Sequence, residues 1–220
     1  MAAERRDTSI GVFAEYGLTD RLTLQFKGDW QDGPDAFVDY EGRGPVEVGV
    51  TWPAWRSDAA AFSLYGGYAS FGEGRNAGYA APGVGDHALE ARASAGRSFD
   101  TGGGVWPERT FIELQAARRF RSGLPDETRI DATVGGHFGD DWMVLGQAYG
   151  GVTDGDGPRW LSVETSIVRQ IGPWSLQAGW REAVAGRETP VARGPVLACG
   201  DAFDMTRRKV ATETGTARVT

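Results

Sequence analysis

Short runs that alternate apolar and polar residues recur along this chain, and each run is followed by a turn. In the clearest early example, residues 22–30, the side chains of Leu22, Leu24, Phe26 and Trp30 fall on one face and polar side chains fall on the other. Successive side chains of a β-strand point to opposite faces, so the pattern predicts a strand with one apolar and one polar side. Whether the apolar side meets a protein core or lipid then decides the class of protein.

Eleven such runs can be read, and no long segment has a convincing helical period. We predict strands at residues 9–18, 22–30, 45–55, 61–71, 86–99, 109–120, 128–138, 142–150, 160–169, 174–184 and 191–199. The connectors alternate between tight turns and generally longer segments rich in Gly, Pro and Asp. Short turns at one end of the strands and long loops at the other are typical of membrane β-barrels.

The polar face carries charges of both signs in the middle of many runs. That pattern fits a hydrated barrel interior crossed by ion pairs. A soluble sandwich with a solvated outer face would give the same alternation. In the barrel interpretation, the candidate lumen-lining residues are Glu15, Lys27, Glu47, Glu90, Arg92, Glu113, Gln115, Arg129, Asp131, Glu164, Gln177 and Arg181.

Six of the eight tryptophans lie at or close to the ends of predicted strands rather than in their middles. They are Trp30, Trp55, Trp106, Trp142, Trp160 and Trp174. Amphipathic rings at both ends of lipid-facing strands form an interfacial girdle, so this placement favours lipid over a protein core.

Composition excludes several classes of function. The net charge of -7 and the absence of a basic stripe argue against nucleic-acid binding. One cysteine and two histidines make a metal site improbable, and no cofactor motif is present. The sequence contains no run of 18 apolar residues, so it predicts no transmembrane helix. Residues 1–7 lack the apolar region of a signal peptide.

An odd number of strands does not close a bacterial barrel of this kind, because such barrels have even numbers. We therefore expect twelve strands in the complete protein, with a signal peptide and a first strand missing from this chain. Residues 1–8 would be the stub of an outer loop, residues 9–199 the barrel, and residues 200–220 a disordered polar tail.

The segment FAEYGLTDRLTL, from Phe13 to Leu24, resembles the strand–turn–strand repeats of Gram-negative outer-membrane β-barrels. It is similar to transporter-type, porin-like barrels, including a family associated with phenol-degradation operons, and the resemblance covers roughly residues 9–198. It implies an outer-membrane location and contact with outer-membrane lipid. Such barrels usually end in an aromatic residue read by the barrel-assembly machinery, a partner expected of the complete protein, whereas this chain ends in Thr220.

Catalytic motifs are sparse. His87 and His137 are predicted at opposite ends of the barrel, and the sequence contains no G-x-S-x-G motif. The glycines at 102–104 lack the Lys-Ser/Thr of a phosphate loop, and Asp154 and Asp156 are too few for a calcium loop. We expect no enzymatic activity.

The sequence therefore predicts an all-β protein, an antiparallel up-and-down transmembrane β-barrel with eleven visible strands. Its expected role is a passive pore, or a transporter or binding barrel for an unknown small solute, with a charged lumen. Two alternatives remain open: a soluble all-β binding or structural protein, and a lipid-modifying barrel enzyme.

Overall fold

A computed structural model describes residues 8–33, 39–189, 191–201 and 210–212, the last three and Asp201 by their backbone alone. It is an all-β structure built from one antiparallel sheet. Its first eleven strands are β1 (Thr8–Thr19), β2 (Leu22–Gly33), β3 (Tyr40–Arg56), β4 (Ala60–Ser70), β5 (His87–Asp100), β6 (Arg109–Ser122), β7 (Glu127–Phe138), β8 (Trp142–Thr153), β9 (Arg159–Ile171), β10 (Trp174–Arg187) and β11 (Arg193–Asp201). Within the described ranges, no helix is long and apolar enough to cross a membrane.

Each strand from β1 to β11 pairs with its neighbours in the chain, so the sheet is an up-and-down meander that curls on itself. A three-residue strand, β12 (Val210–Thr212), pairs with Cys199–Asp201 of β11 and with Phe13 and Ala14 of β1. This strand lies inside the segment predicted as a tail. Three residues are too few for a periodic hydrophobic signal, which is why the sequence pattern did not indicate β12.

All eleven predicted strands are present, and most extend further than predicted towards the ends joined by residues 34–39, 71–86, 123–126, 154–158 and 188–192. Gln31 and Gly33, for example, pair with Gly42 and Tyr40 beyond the predicted strand ends. The reason is that backbone pairing continues where the apolar alternation stops. We call this edge of the sheet the loop end and the opposite edge the turn end.

The extension of the strands leaves one long connection at the loop end, residues 71–86 between β4 and β5. The other connections at that end are short. Of the long loops that the sequence predicted at this end, the structure therefore retains mainly this one segment. We call it the inserted loop.

Burial in the sheet is inverted relative to that of an ordinary globular protein. Large apolar side chains on the outer face are exposed, while carboxylates on the inner face are buried: Glu47, Glu90, Glu127 and Glu164 are each at most 6% exposed. The exposed outer-face residues include Ile10, Val12, Val48, Val50, Leu89, Ile112, Leu114, Ile130, Val134, Leu161, Val163, Ile167 and Leu176. The alternation of the sequence therefore places the polar face inside the curled sheet.

Candidate functional site: the charged inner face and the inserted loop

Charged and aromatic side chains from four adjacent strands meet on the inner face in what we call the β3–β6 network, formed by Glu47, Tyr65, Glu90, Arg92 and Arg119. The Tyr65 hydroxyl donates to Glu47 Oε1 at 2.7 Å, and Arg119 Nη2 donates to Glu47 Oε2 at 2.7 Å. Arg119 also contacts Glu90, which accepts from Arg92 Nε at 2.7 Å. Each buried carboxylate is therefore paired with a guanidinium, as burial of charge requires.

Small residues beneath the β3–β6 network make room for it. Gly49 and Gly67 are opposite each other on β3 and β4, and the Tyr65 ring lies against both positions. A Cβ atom at either glycine would collide with this ring. Ala69 on β4 is similarly small, so nothing bulky separates the long side chain of Arg119 on β6 from Glu47 on β3.

A second group of polar side chains, the β8–β10 network, consists of Tyr149, Glu164, Ser166, Gln177 and Arg181. Glu164 is 2% exposed. Its Oε2 accepts from Arg181 Nε at 2.8 Å, and its Oε1 accepts from Ser166 Oγ at 2.6 Å and Gln177 Nε2 at 3.1 Å. The Arg181 guanidinium lies 4.4 Å from the centroid of the Tyr149 ring, in cation–π geometry.

Between the two networks, the side chains of β6 and β7 form further ion pairs on the inner face. Arg121 Nη1 lies 2.7 Å from Glu127 Oε2, and both side chains are buried. Arg129 lies 3.7 Å from Glu127 and 4.0 Å from Asp131. The inner face therefore carries closely matched positive and negative charges along most of its width.

The remaining lumen candidates lie on the same face with more local contacts. Glu15 accepts from Gln25 at 2.7 Å, and Gln115 contacts Glu113 on its own strand. Lys27 is exposed and lies opposite Glu47 in the register of β2 and β3.

The inserted loop is anchored to β2 and β3 by several hydrogen bonds. Gln31 Nε2 donates to the Arg75 carbonyl at 3.2 Å, and its Oε1 accepts from the Arg75 amide at 2.7 Å. Arg43 Nη2 donates to the Phe71 carbonyl at 2.6 Å. Within the loop, the buried Asn76 side chain bonds the backbone of Gly72 and Val84 and so holds the two sides of the loop together.

Tyr79 connects the inserted loop to strands on the far side of the inner face. Its hydroxyl accepts from Arg121 on β6, and its ring centroid lies 6.0 Å from that of Trp160 on β9. Burial raises the pKa of Tyr79, an effect that the nearby Arg121 guanidinium only partly offsets, so the phenol stays protonated at neutral pH. The loop therefore spans the inside of the sheet from β2 and β3 to β9.

Five of the six tryptophans predicted to form a girdle are exposed: Trp30, Trp55, Trp106, Trp142 and Trp174. Trp160 differs, because its ring lies on the inner face against Tyr79. A tryptophan next to a turn can point to either face, and the parity of Trp160 with Ser162 and Glu164 places it inside.

The two histidines lie at opposite ends of the strands and on opposite faces. His87, at the loop end, stacks on Tyr68 with ring centroids 5.8 Å apart, while His137, at the turn end, lies 6.0 Å from Phe111. Neither imidazole is hydrogen-bonded to a serine or a carboxylate within the described part of the chain. The structure thus does not bring the histidines together.

The sequence analysis missed Arg119, Tyr65 and Arg121, which hold together much of the inner face. A signal for two of them was present: continuing the period of two from Glu113 and Gln115 through Ala117 places Arg119 and Arg121 on the polar side. The adjacent Arg118 has the opposite parity, so the cluster of arginines does not by itself show which of them face inward.

These observations define an all-β, barrel-like protein with a charged inner face and a loop folded inside it. No family model matches the sequence, and a search of curated proteins finds no match.

Proposed function

We propose that this chain forms a closed transmembrane β-barrel of the bacterial outer membrane and that it acts as a pore for small polar solutes. The observation that carries this proposal is the inverted burial of the sheet. Water on the outer face would meet exposed Leu, Ile and Val side chains on strand after strand, whereas soluble monomers rarely expose large contiguous apolar patches. Contact with lipid instead of water removes the free-energy cost of exposing these apolar side chains.

Backbone pairing supports closure of the sheet. An open sheet edge in hydrocarbon would leave amide and carbonyl groups without partners, at a cost of several kcal/mol each. The short strand β12 pairs with both β11 and β1, which are the edges that closure has to join. On this proposal the barrel has twelve strands, with β12 in the place between β11 and β1 for which the sequence predicts a missing first strand. The exposed tryptophans at the strand ends form the interfacial girdle.

The paired charges of the inner face favour small polar solutes over large ones. A barrel of about twelve strands has a narrower interior than the wide channels of about 16–18 strands. The two networks line opposite walls, and the inserted loop crosses the space near the loop end. Solutes would pass between these walls and exchange hydrogen bonds with fixed charges that are already paired.

Substitution of Leu114 by arginine tests the environment of the outer face. Leu114 lies near the middle of β6 and is 52% exposed. If this face meets lipid, Leu114→Arg should lower the free energy of unfolding from vesicles by about 2–4 kcal/mol. Denaturant titration of the tryptophan fluorescence measures this loss. In a soluble protein the same change would stay within about 0.5 kcal/mol.

The matched control for Leu114→Arg is Val105→Arg, in the turn between β5 and β6, where Val105 is 91% exposed. We expect a change of at most about 1 kcal/mol there, because that turn lies at the membrane surface rather than in the hydrocarbon. Equal, small effects at both positions would contradict the membrane proposal.

Planar-bilayer recordings test the pore itself. The chain refolded in detergent should migrate faster on gels before heating than after, and it should give discrete conductance steps when added to a bilayer. Boiled protein at the same concentration is the control. A barrel that inserts but gives no steps above this control would be a plugged or purely binding barrel, and the pore proposal would be wrong.

A further inference from the structure

A groove of about 440 Å³ crosses the outer face over β7–β10, near the loop end of the strands. In the register, Ile130, Gly150, Leu161 and Ala185 lie side by side across these four strands. Gly150 supplies the floor. A Cβ atom at Gly150 would make ordinary contacts with Leu161 Cδ1 at 3.7 Å and with backbone oxygens at 3.5 and 3.8 Å, so a longer side chain there would extend into the groove.

The next outward-facing row towards the loops contains three arginines, Arg118, Arg159 and Arg187. Two of them are matched by loop carboxylates: Arg118 lies 2.8 Å from Asp154, and Arg187 lies 2.9 Å from Asp156.

Arg118 also lies 3.5 Å from Asp126. The exposed guanidinium of Arg159, which lines the groove, has no hydrogen bond or ion pair with any described residue. The outer-face carboxylate Glu182 lies opposite Val163, on the far side of the groove from Arg159. The apolar groove thus ends at one positive charge that no described carboxylate neutralises.

We infer that this groove binds an anionic membrane phospholipid, with one acyl chain over Gly150 and the phosphate on Arg159. The inference rests on the proposed membrane position of the outer face. Ile130 and Leu161 would flank the methylenes, and the planar guanidinium suits a phosphate oxygen pair. Exposed Trp30, at the same end of the strands, fits a headgroup level there.

The test measures binding of dioleoyl phosphatidylglycerol to the delipidated full chain in detergent micelles by native mass spectrometry. We expect one retained phosphatidylglycerol and weaker retention of dioleoyl phosphatidylcholine, whose headgroup has no net charge. Arg159→Glu and Arg159→Gln should each weaken phosphatidylglycerol binding about tenfold or more, as expected for loss of a charged hydrogen bond. Gly150→Leu should displace the lipid by filling the groove.

Two outer-face substitutions away from the groove are the matched controls. Arg97→Glu changes an exposed arginine at the turn end of β5, and Gly66→Leu adds the same side chain to β4 where nothing lies within 4 Å. Both should bind lipid as the original chain does. Equal retention by the Arg159 and Gly150 variants, or equal loss in the controls, would overturn the inference.

Failure of this inference is distinguishable from failure of the proposed function. A chain that conducts ions and is destabilised by Leu114→Arg, yet does not retain phosphatidylglycerol, contradicts the lipid site alone. A chain that tolerates Leu114→Arg and does not conduct contradicts the membrane pore, whatever its lipid binding.

Discussion

Replacing Arg119 with methionine should lower the free energy of unfolding by about 3–5 kcal/mol, because two buried carboxylates then share the single guanidinium of Arg92. Arg119 contacts both Glu47 and Glu90, which are each 6% exposed. Methionine keeps much of the side-chain volume but cannot donate a hydrogen bond. Denaturant titration of the refolded protein, followed by tryptophan fluorescence, measures the loss.

The control for this effect is Arg109→Met on the same strand. Arg109 pairs with Asp100 at 3.8 Å, but their side chains are 65% and 93% exposed, and such pairs contribute about 0–1 kcal/mol. Adding Glu47→Gln to the Arg119→Met variant should recover part of the stability, since the remaining carboxylate, Glu90, still pairs with Arg92. Equal, small losses at Arg119 and Arg109 would mean that water screens the network as it screens the surface.

Removing the inserted loop should open the proposed pore. Replacing residues 73–84 with a short glycine linker keeps Phe71, which packs with Ala69 and Ala88, but removes the segment that reaches Trp160. The single-channel conductance should rise, because the segment crossing the inside of the sheet is gone. Planar-bilayer recordings of the original and shortened chains measure the difference.

Two further variants separate gating by the loop from general disturbance. Tyr79→Ala removes the contacts with Arg121 and Trp160 but keeps the Gln31 and Asn76 anchors, so it should raise conductance less than the deletion. Deleting Gly102–Gly104, which lie in the turn between β5 and β6 at the other end of the sheet, should leave conductance unchanged. Unaltered conductance after the loop deletion would refute the assignment of this loop as a constriction.

The sheet was predictable because its signal is local. Alternation along residues 22–30 depends only on the backbone geometry of a strand, so it places Leu24 and Phe26 on one face without knowledge of the neighbouring strands. Strand ends were less predictable, because pairs such as Gln31 with Gly42 continue the ladder without apolar residues. The three-residue β12 carried no periodic signal at all.

The inner-face site likewise combines a local signal, which the sequence contains, with long-range contacts, which it does not. The sequence placed Glu47, Glu90 and Arg92 on one face, but it did not identify Arg119, which pairs with both carboxylates. Arg119 reaches Glu47 across β4 and β5 because the sheet curves and because Gly67 and Ala69 leave space. The interaction joins residues 72 positions apart, and no spacing rule covers that separation.

By itself, the sequence determined that the strands have two unlike faces, that charges lie on one face, and that tryptophans gather at the strand ends. The first two follow from the two-residue period of any strand, and the third from where the alternating runs end. Only the tertiary structure decided that the inserted loop folds inside, that its Tyr79 meets Trp160, and that a groove lies beside Arg159. Those features depend on register and curvature, which bring distant residues together through packing rather than through local pattern.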